Sequence, residues 1–185
     1  MGKIAIFYGT RFGGTVGVAE KIAEILATKE HSVVLKNIED VAEFTEIEAE
    51  MFDGIILGSG IQIGQWTGKI KEFITRHKVL LANEKRKLGL FVSCGTAQSE
   101  EGKLKACQDY VTNFSTEFGL SPHLIAAFGG RFDFSKKSVH GFVKKNLLKA
   151  ITKKENPGKF DLQAMNDFRN WAEIIMYAEE FAKLI

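Results

Sequence analysis

Along this chain, short unbroken apolar runs alternate with longer stretches in which apolar residues recur every three or four positions. The runs are Ile4-Ala5-Ile6-Phe7, Val33-Val34-Leu35 at the centre of His31 to Ile38, Ile55-Ile56-Leu57 within Phe52 to Gly60, Leu88-Gly89-Leu90-Phe91-Val92, and His123-Leu124-Ile125-Ala126-Ala127-Phe128 after Pro122. None alternates strictly with polar residues, so each suits a strand covered on both faces, as in a parallel sheet. Val16, Ala19, Ile22, Ala23 and Leu26 then form a helical stripe whose far side carries Glu20, Lys21, Glu24 and Lys29. Ile70, Phe73 and Ile74 mark a second helix, and Leu104 to Phe118 a third, with Gly119 as its stop. Val41 to Met51 reads as a short helix or irregular connection. Asp161 to Ile185 reads as a closing helix, since Phe168, Trp171, Ala172, Ile175, Ala178 and Phe181 fall at helical intervals. Strands alternating with helices predict an α/β fold with an open, doubly wound, five-stranded parallel sheet.

Small residues collect where these strands end. Phe7-Tyr8-Gly9-Thr10-Arg11-Phe12-Gly13-Gly14-Thr15 joins the first strand to the first helix and reads as a phosphate cradle. Backbone N–H groups at a helix start lack intrahelical partners, and the helix dipole favours an anion there. Gly13 and Gly14 let the backbone come close, while the Thr10 and Thr15 hydroxyls supply donors. The plainer reading is a strand-to-helix turn with Thr15 as N-cap. The loop lacks the Gly-Lys-Ser/Thr ending of a nucleoside triphosphate loop and lacks Gly-x-Gly-x-x-Gly, although Glu39 and Asp40 stand near the place of a ribose-binding acid. A phosphoacceptor domain would want a carboxylate at the end of the third strand, where this chain has Gly58-Ser59.

Thr10, Gly13 and Thr15 stand in a Thr-x-x-Gly-x-Thr pattern that resembles the FMN-phosphate loop of flavodoxins. Together with Gly58-Ser59-Gly60-Ile61-Gln62-Ile63-Gly64, the run Thr10-Arg11-Phe12-Gly13-Gly14-Thr15 is similar to the flavodoxin-like, menaquinone-dependent protoporphyrinogen oxidases. The resemblance implies the strand order 2-1-3-4-5, with FMN at the switch point beyond the first and third strands. It also implies that Thr10, Gly13, Gly14 and Thr15 hold the phosphate, with Arg11 and Phe12 in the same cofactor-binding loop. Ser59, Gly60, Ile61, Gln62, Gly64 and Trp66 would then form one wall of the flavin site, and Ser93, Cys94, Gly95 and Thr96 the other. For Trp66 a partly buried packing role is the alternative. Cys94 has no sequence neighbour that would lower its pKa, so it reads as a small buried residue and not as a nucleophile. The implied function is that of an FMN oxidoreductase moving electrons between a small substrate, such as a porphyrinogen, and a quinone or other carrier. The flavin would carry the chemistry and no catalytic side chain is required. A non-enzymatic electron carrier is the alternative.

With 185 residues, 45% hydrophobic and 26% charged, the whole chain is expected to form one domain. No run approaches membrane-span length, and the first strand begins without a basic, apolar leader, so a cytoplasmic protein is expected. Cys94 and Cys107 fit neither a disulfide framework nor a metal or redox spacing. A formal charge of +2 gives no case for nucleic acid. The surplus over a minimal fold is an insert at 131–159. Within it Val139, Phe142, Val143, Leu147, Leu148 and Ile151 alternate with lysines in a basic amphipathic helix. Such a helix suits the inner membrane surface, an acidic partner, or packing on the domain. His140 is its one titratable group with an acid–base reading.

Overall fold

The computed structural model describes residues 1–38, 51–83, 85–135 and 161–185, together with Asn146 and Lys149. Glu39, Asp40, the connection expected over 41–51 except Met51, His140, and the expected 131–159 insert beyond Ser135 except Asn146 and Lys149 lie outside the described residues.

Each apolar run forms a strand: β1 (Lys3–Gly9), β2 (Ser32–Asn37), β3 (Gly54–Gly60), β4 (Lys87–Cys94) and β5 (Leu124–Gly129). They pair in parallel in the order β2-β1-β3-β4-β5. The register sets Ile6 opposite Leu35 and Ile56, and Leu57 opposite Leu90. Successive side chains of a strand face opposite ways, so β1 and β3 feed two cores. Ala5, Phe7, Ile55 and Leu57 pack with Ile70, Phe73 and Phe114 on one face. Ile4, Ile6 and Ile56 pack with Val18, Ile22, Ile174 and Phe181 on the other. This explains the missing alternation in the sequence. Each fully buried Ile, Leu or Phe contributes about 1.5–3 kcal/mol relative to exposure.

The helices are α1 (Gly14–Thr28), α2 (Gly68–Arg76), α3 (Lys78–Leu81), α4 (Glu100–Ala106), α5 (Asn113–Phe118) and α6 (Trp171–Ala182). Between α4 and α5 the backbone runs as a π-helical segment, Cys107–Thr112, so the third expected helix starts earlier than Leu104 and is not uniform. Gly119 stops it in the left-handed conformation at φ 65°. Among the described residues, no helix is long and apolar enough to cross a membrane.

The closing helix corrects the sequence reading. Its first turn begins at Trp171, and the segment before it instead forms β7 (Met165–Asp167), antiparallel to β6 (Arg131–Asp133). Local side-chain bonds account for the difference. Asp161 Oδ1 accepts from the Gln163 N–H at 2.8 Å, and Asn166 Nδ2 donates to the Asp161 carbonyl at 2.8 Å. Asp167 Oδ1 accepts from the Arg169 N–H at 3.2 Å. Short Asp and Asn side chains thus take the backbone partners a helix would need, and Asn170 caps α6 by accepting from the Ala172 N–H at 3.1 Å. Both ends of the insert are therefore fastened by one strand pair that leaves the sheet immediately after β5.

Candidate functional site

A cleft at the carboxyl ends of β1, β3 and β4 is lined by Thr10, Arg11, Phe12, Gly14 and Thr15 from the first loop. Gly60, Ile61 and Gln62 come from the second loop, Ser93 from the end of β4, and Gly130, Arg131 and Phe132 from the turn after β5. The cleft is shallow and open to solvent.

The first loop presents the uncapped start of α1 to the cleft. Gly13 takes the N-cap position at φ 76°, a left-handed conformation that disfavours residues with a Cβ, and no side chain caps α1. Thr15 is therefore not the cap; it lies one residue inside the helix and is almost fully buried. The Thr10 hydroxyl accepts from the Gly13 N–H at 2.9 Å, which fixes the loop and leaves its own proton available for donation. Gly14 is needed for a second reason: a Cβ there would lie 3.1 Å from the Arg131 carbonyl oxygen, so the turn after β5 rests directly on the start of α1.

The second loop is braced against the first. Arg11 Nη1 donates to Gln62 Oε1 at 2.6 Å. The backbones of Gln62 and Gln65 exchange hydrogen bonds at 3.1 Å each way, closing a two-residue turn with Ile63 at φ 51° and Gly64 at φ 68°. Positive φ at both central positions matches a type I′ turn. Ile61 N–H donates to the Ser93 carbonyl at 3.2 Å, tying this loop to β4.

Several expected wall residues stand elsewhere. Ser59 is fully buried, and its hydroxyl accepts from the Thr67 N–H at 3.0 Å, so it supports the entry to α2 from beneath the cleft. Trp66 is 2% exposed; its ring stacks on Phe114 at 4.1 Å and 3°, and its indole N–H donates to the Tyr110 carbonyl at 2.5 Å. It belongs to the core, because the chain after the Gln62–Gln65 turn heads inward towards α5. Gly64 faces the Tyr110 ring, not the cleft. Cys94 lies 3% exposed in the core, and burial pushes its thiol up to about 11, so it stays protonated at neutral pH. Gly95 has helical dihedral angles and Thr96 opens a short 3₁₀ turn with its carbonyl against Gly102; neither is among the residues lining the cleft. Among the described residues, no cluster of His, Cys, Asp and Glu could hold a metal ion.

Gly130, Arg131 and Phe132 are the lining residues that sequence reasoning left outside the site. The available signal was positional: Gly129-Gly130 ends the fifth strand at the same sheet edge as the other loops. Phe132 stacks near Phe134, at 6.4 Å and 13°, and brings an aromatic ring to a flank where the second-loop Trp is absent.

Comparison with known proteins agrees with this fold. A family model described as Flavodoxin domain matches residues 5–162. The protoporphyrinogen IX dehydrogenase [quinone] of Escherichia coli (strain K12) is 22% identical over 183 residues, spanning 98% of this chain and 96% of that protein. Oxidised flavodoxin 1 from Bacillus cereus superposes with a TM-score of 0.59 at 17% identity, covering 99% of both chains. The rubredoxin:oxygen oxidoreductase of Desulfovibrio gigas gives 0.54 at 14% identity, covering 98% of this chain and 35% of that one.

Proposed function

We propose that this chain, which belongs to the Flavodoxin domain family, binds FMN in the cleft and works as an oxidoreductase between a small substrate and a quinone or other carrier. The observation that carries the reading is the left-handed Gly13 cap. It leaves the first N–H groups of α1 without a side-chain partner at the switch point of the sheet, where the cleft opens. The N–H groups of Gly14 and Thr15, with the hydroxyls of Thr10 and Thr15, hold the phosphate. Ile61 and Phe132 give the cleft apolar flanks for a flat ring, and the bonded pair Arg11 and Gln62 closes its edge. When bound, the flavin supplies reversible electron uptake; the protein supplies binding, orientation and electrostatics. Cys94, buried and protonated, takes no part as a nucleophile. The similarity to a quinone-dependent dehydrogenase over nearly the full length of both chains supports the choice of enzyme over simple carrier.

Titration of the apoprotein with FMN and with riboflavin tests the cradle. Thr15→Ala removes one hydroxyl donor to a charged group, worth about 1.5–3 kcal/mol, so FMN affinity should fall by roughly ten- to a hundredfold while riboflavin affinity changes little. Equal losses for both ligands would remove the phosphate from this loop. Anaerobic reduction of the FMN-loaded protein by a porphyrinogen or a quinol separates enzyme from carrier: a carrier would accept electrons from a reductase protein and turn over neither small substrate.

A further inference from the structure

We infer that the protein carries a second ligand site, at the opposite end of the sheet from the cleft, for a small molecule bearing a carboxylate or phosphate group. A partly enclosed cavity of about 310 Å³ lies there, within the size range of small-molecule sites. Leu81 and Ala82 line it from the end of α3, Asn83 and Arg86 from the turn into β4, and Ser121 and His123 from the approach to β5. Lys87 opens the strand on which Ser93 reaches the cleft, so at about 3.3 Å per residue the two sites stand roughly 20 Å apart.

Hydrogen bonding within the protein leaves this cavity with donors. Asn83 Oδ1 accepts from the Lys85 N–H at 3.0 Å, so the group Asn83 has left to offer is its Nδ2 amide, which only donates. His123 Nδ1 accepts from the Leu88 N–H at 3.3 Å, while burial, and after it Lys87, lower the pKa of the ring. The neutral imidazole therefore carries its proton on Nε2, a second donor. Nearby carbonyls are already engaged. That of Leu80 accepts from Arg86 Nη1 at 2.8 Å and from the Asn83 N–H at 3.3 Å, and that of Asn83 from the Arg86 N–H at 3.0 Å. Where α5 ends, the Ser115 and Thr116 carbonyls accept from the Leu120 and Gly119 N–H groups at 2.8 and 3.1 Å. A wall of donors calls for a ligand group that only accepts, which is the chemistry of an oxyanion.

The cation on this wall is buried. Arg86 is 8% exposed, and its Nε donates to the Phe52 carbonyl at 2.9 Å, which with the Leu80 bond fixes the plane of the guanidinium. Burial disfavours its charge and Asp53 restores only part of that loss, so an oxyanion in the cavity would stabilise it further. Lys78 Nζ lies over Gly119, also on the wall, 3.3 Å from the place a Cβ would take. Asp53 itself accepts from the Lys3 N–H through Oδ2 at 2.8 Å. Hydrogen-bonding character, and not net field, selects the anion: Glu84 follows Asn83 in the chain and the acids between Glu39 and Glu50 precede Met51, all outside the described residues. Leu81 and Ala82 give the carbon body of the ligand an apolar side.

The test follows the His123 ring proton by NMR in the FMN-loaded protein, whose cleft is filled. Inorganic phosphate, benzoate or uncharged benzyl alcohol is added at constant ionic strength, and His123→Gln identifies the signal. At least one anion should shift it saturably and raise its titration midpoint, because a bound oxyanion favours the imidazolium. His31 should stay unmoved, and benzyl alcohol should have no effect. Saturation by phosphate alone would assign a phosphate ligand, and saturation by benzoate alone a carboxylic acid with an apolar body. Asn83→Asp keeps an oxygen for the Lys85 N–H but sets a carboxylate on the wall; it should weaken anion binding by roughly tenfold or more with far-UV circular dichroism unchanged, and Arg86→Gln should do the same where it folds. No saturable shift with either anion, undiminished binding in Asn83→Asp, or an equal response to benzyl alcohol would overturn the site. Binding found only in Glu84→Gln would overturn it too, since a carboxylate of the chain would then be the occupant. The signal belongs to His123, so the same titration of the apoprotein decides the matter even if FMN does not bind.

Discussion

Trp66 uses a ring face on Phe114 and its indole N–H on Tyr110, so its contribution is to packing. Trp66→Ala should lower unfolding stability by about 3–5 kcal/mol in a urea titration. FMN affinity, measured on the fraction that remains folded, should change by less than about threefold. A large affinity loss at unchanged stability would put the ring back beside the flavin. The bond to Tyr110 also has a source in the backbone: a π-helical stretch shifts the i→i−4 ladder and leaves carbonyls open to outside donors, and the Tyr110 carbonyl is in that stretch. Neither Trp66 nor Tyr110 announces this pairing in the sequence, because a π segment has no composition of its own. Thr15 and Gly13 are the opposite case. The need for a left-handed residue before a helix and for a small residue under the next loop is written in the Gly-Gly pair itself.

Elements were legible to different degrees for a common reason. β1, β3 and β4 read clearly as strands because both faces are buried, and no polar residue could interrupt Ile4 to Phe7 or Ile55 to Leu57 without meeting a core. α6 was read too long because Phe168 and Trp171 keep a helical interval across Asn170, while the decisive bonds come from Asp161, Asn166 and Asp167, whose turn chemistry outweighs spacing. The same miss hid β7, and with it the placing of Arg131 and Phe132 at the cleft. α2 carries a pH-sensitive end. His77 closes it with its ring tilted on Phe73 at 4.7 Å, and its Nε2 is buried without a hydrogen-bond partner among the described residues. Burial first, and the neighbouring Arg76 second, lower its pKa below the ordinary 6.5. The unfolded chain therefore binds the proton more readily, so the neutral ring's share of stability is complete above about pH 6.5 and lost as pH falls through the lower folded value. Urea midpoints at pH 7.5 and 5.5 should show a decline in the wild type that His77→Phe reduces; an identical decline in the variant would assign the effect to other groups.

Taken whole, the molecule lines its cleft from two kinds of support. The cradle, the Gln62–Gln65 turn and β4 depend on the sheet and on α1, whereas Arg131 to Asp133 and Met165 to Asp167 form a clasp outside the sheet. A net charge of only +2 does not reveal that the cleft has two guanidiniums and no acid among its lining residues. The clasp has a further consequence for covalent continuity. On the C-terminal side of the insert, β7 pairs with β6, and α6 sinks Ile174, Ala178 and Phe181 completely into the core. The peptide bonds within 136–160 are thus not what keeps that last piece in place. If an engineered protease site in this run is cut, the two fragments should elute together as one particle and keep FMN absorbance; separation of the fragments on size-exclusion chromatography would contradict this. The protein would then be a natural candidate for assembly from two independently made chains.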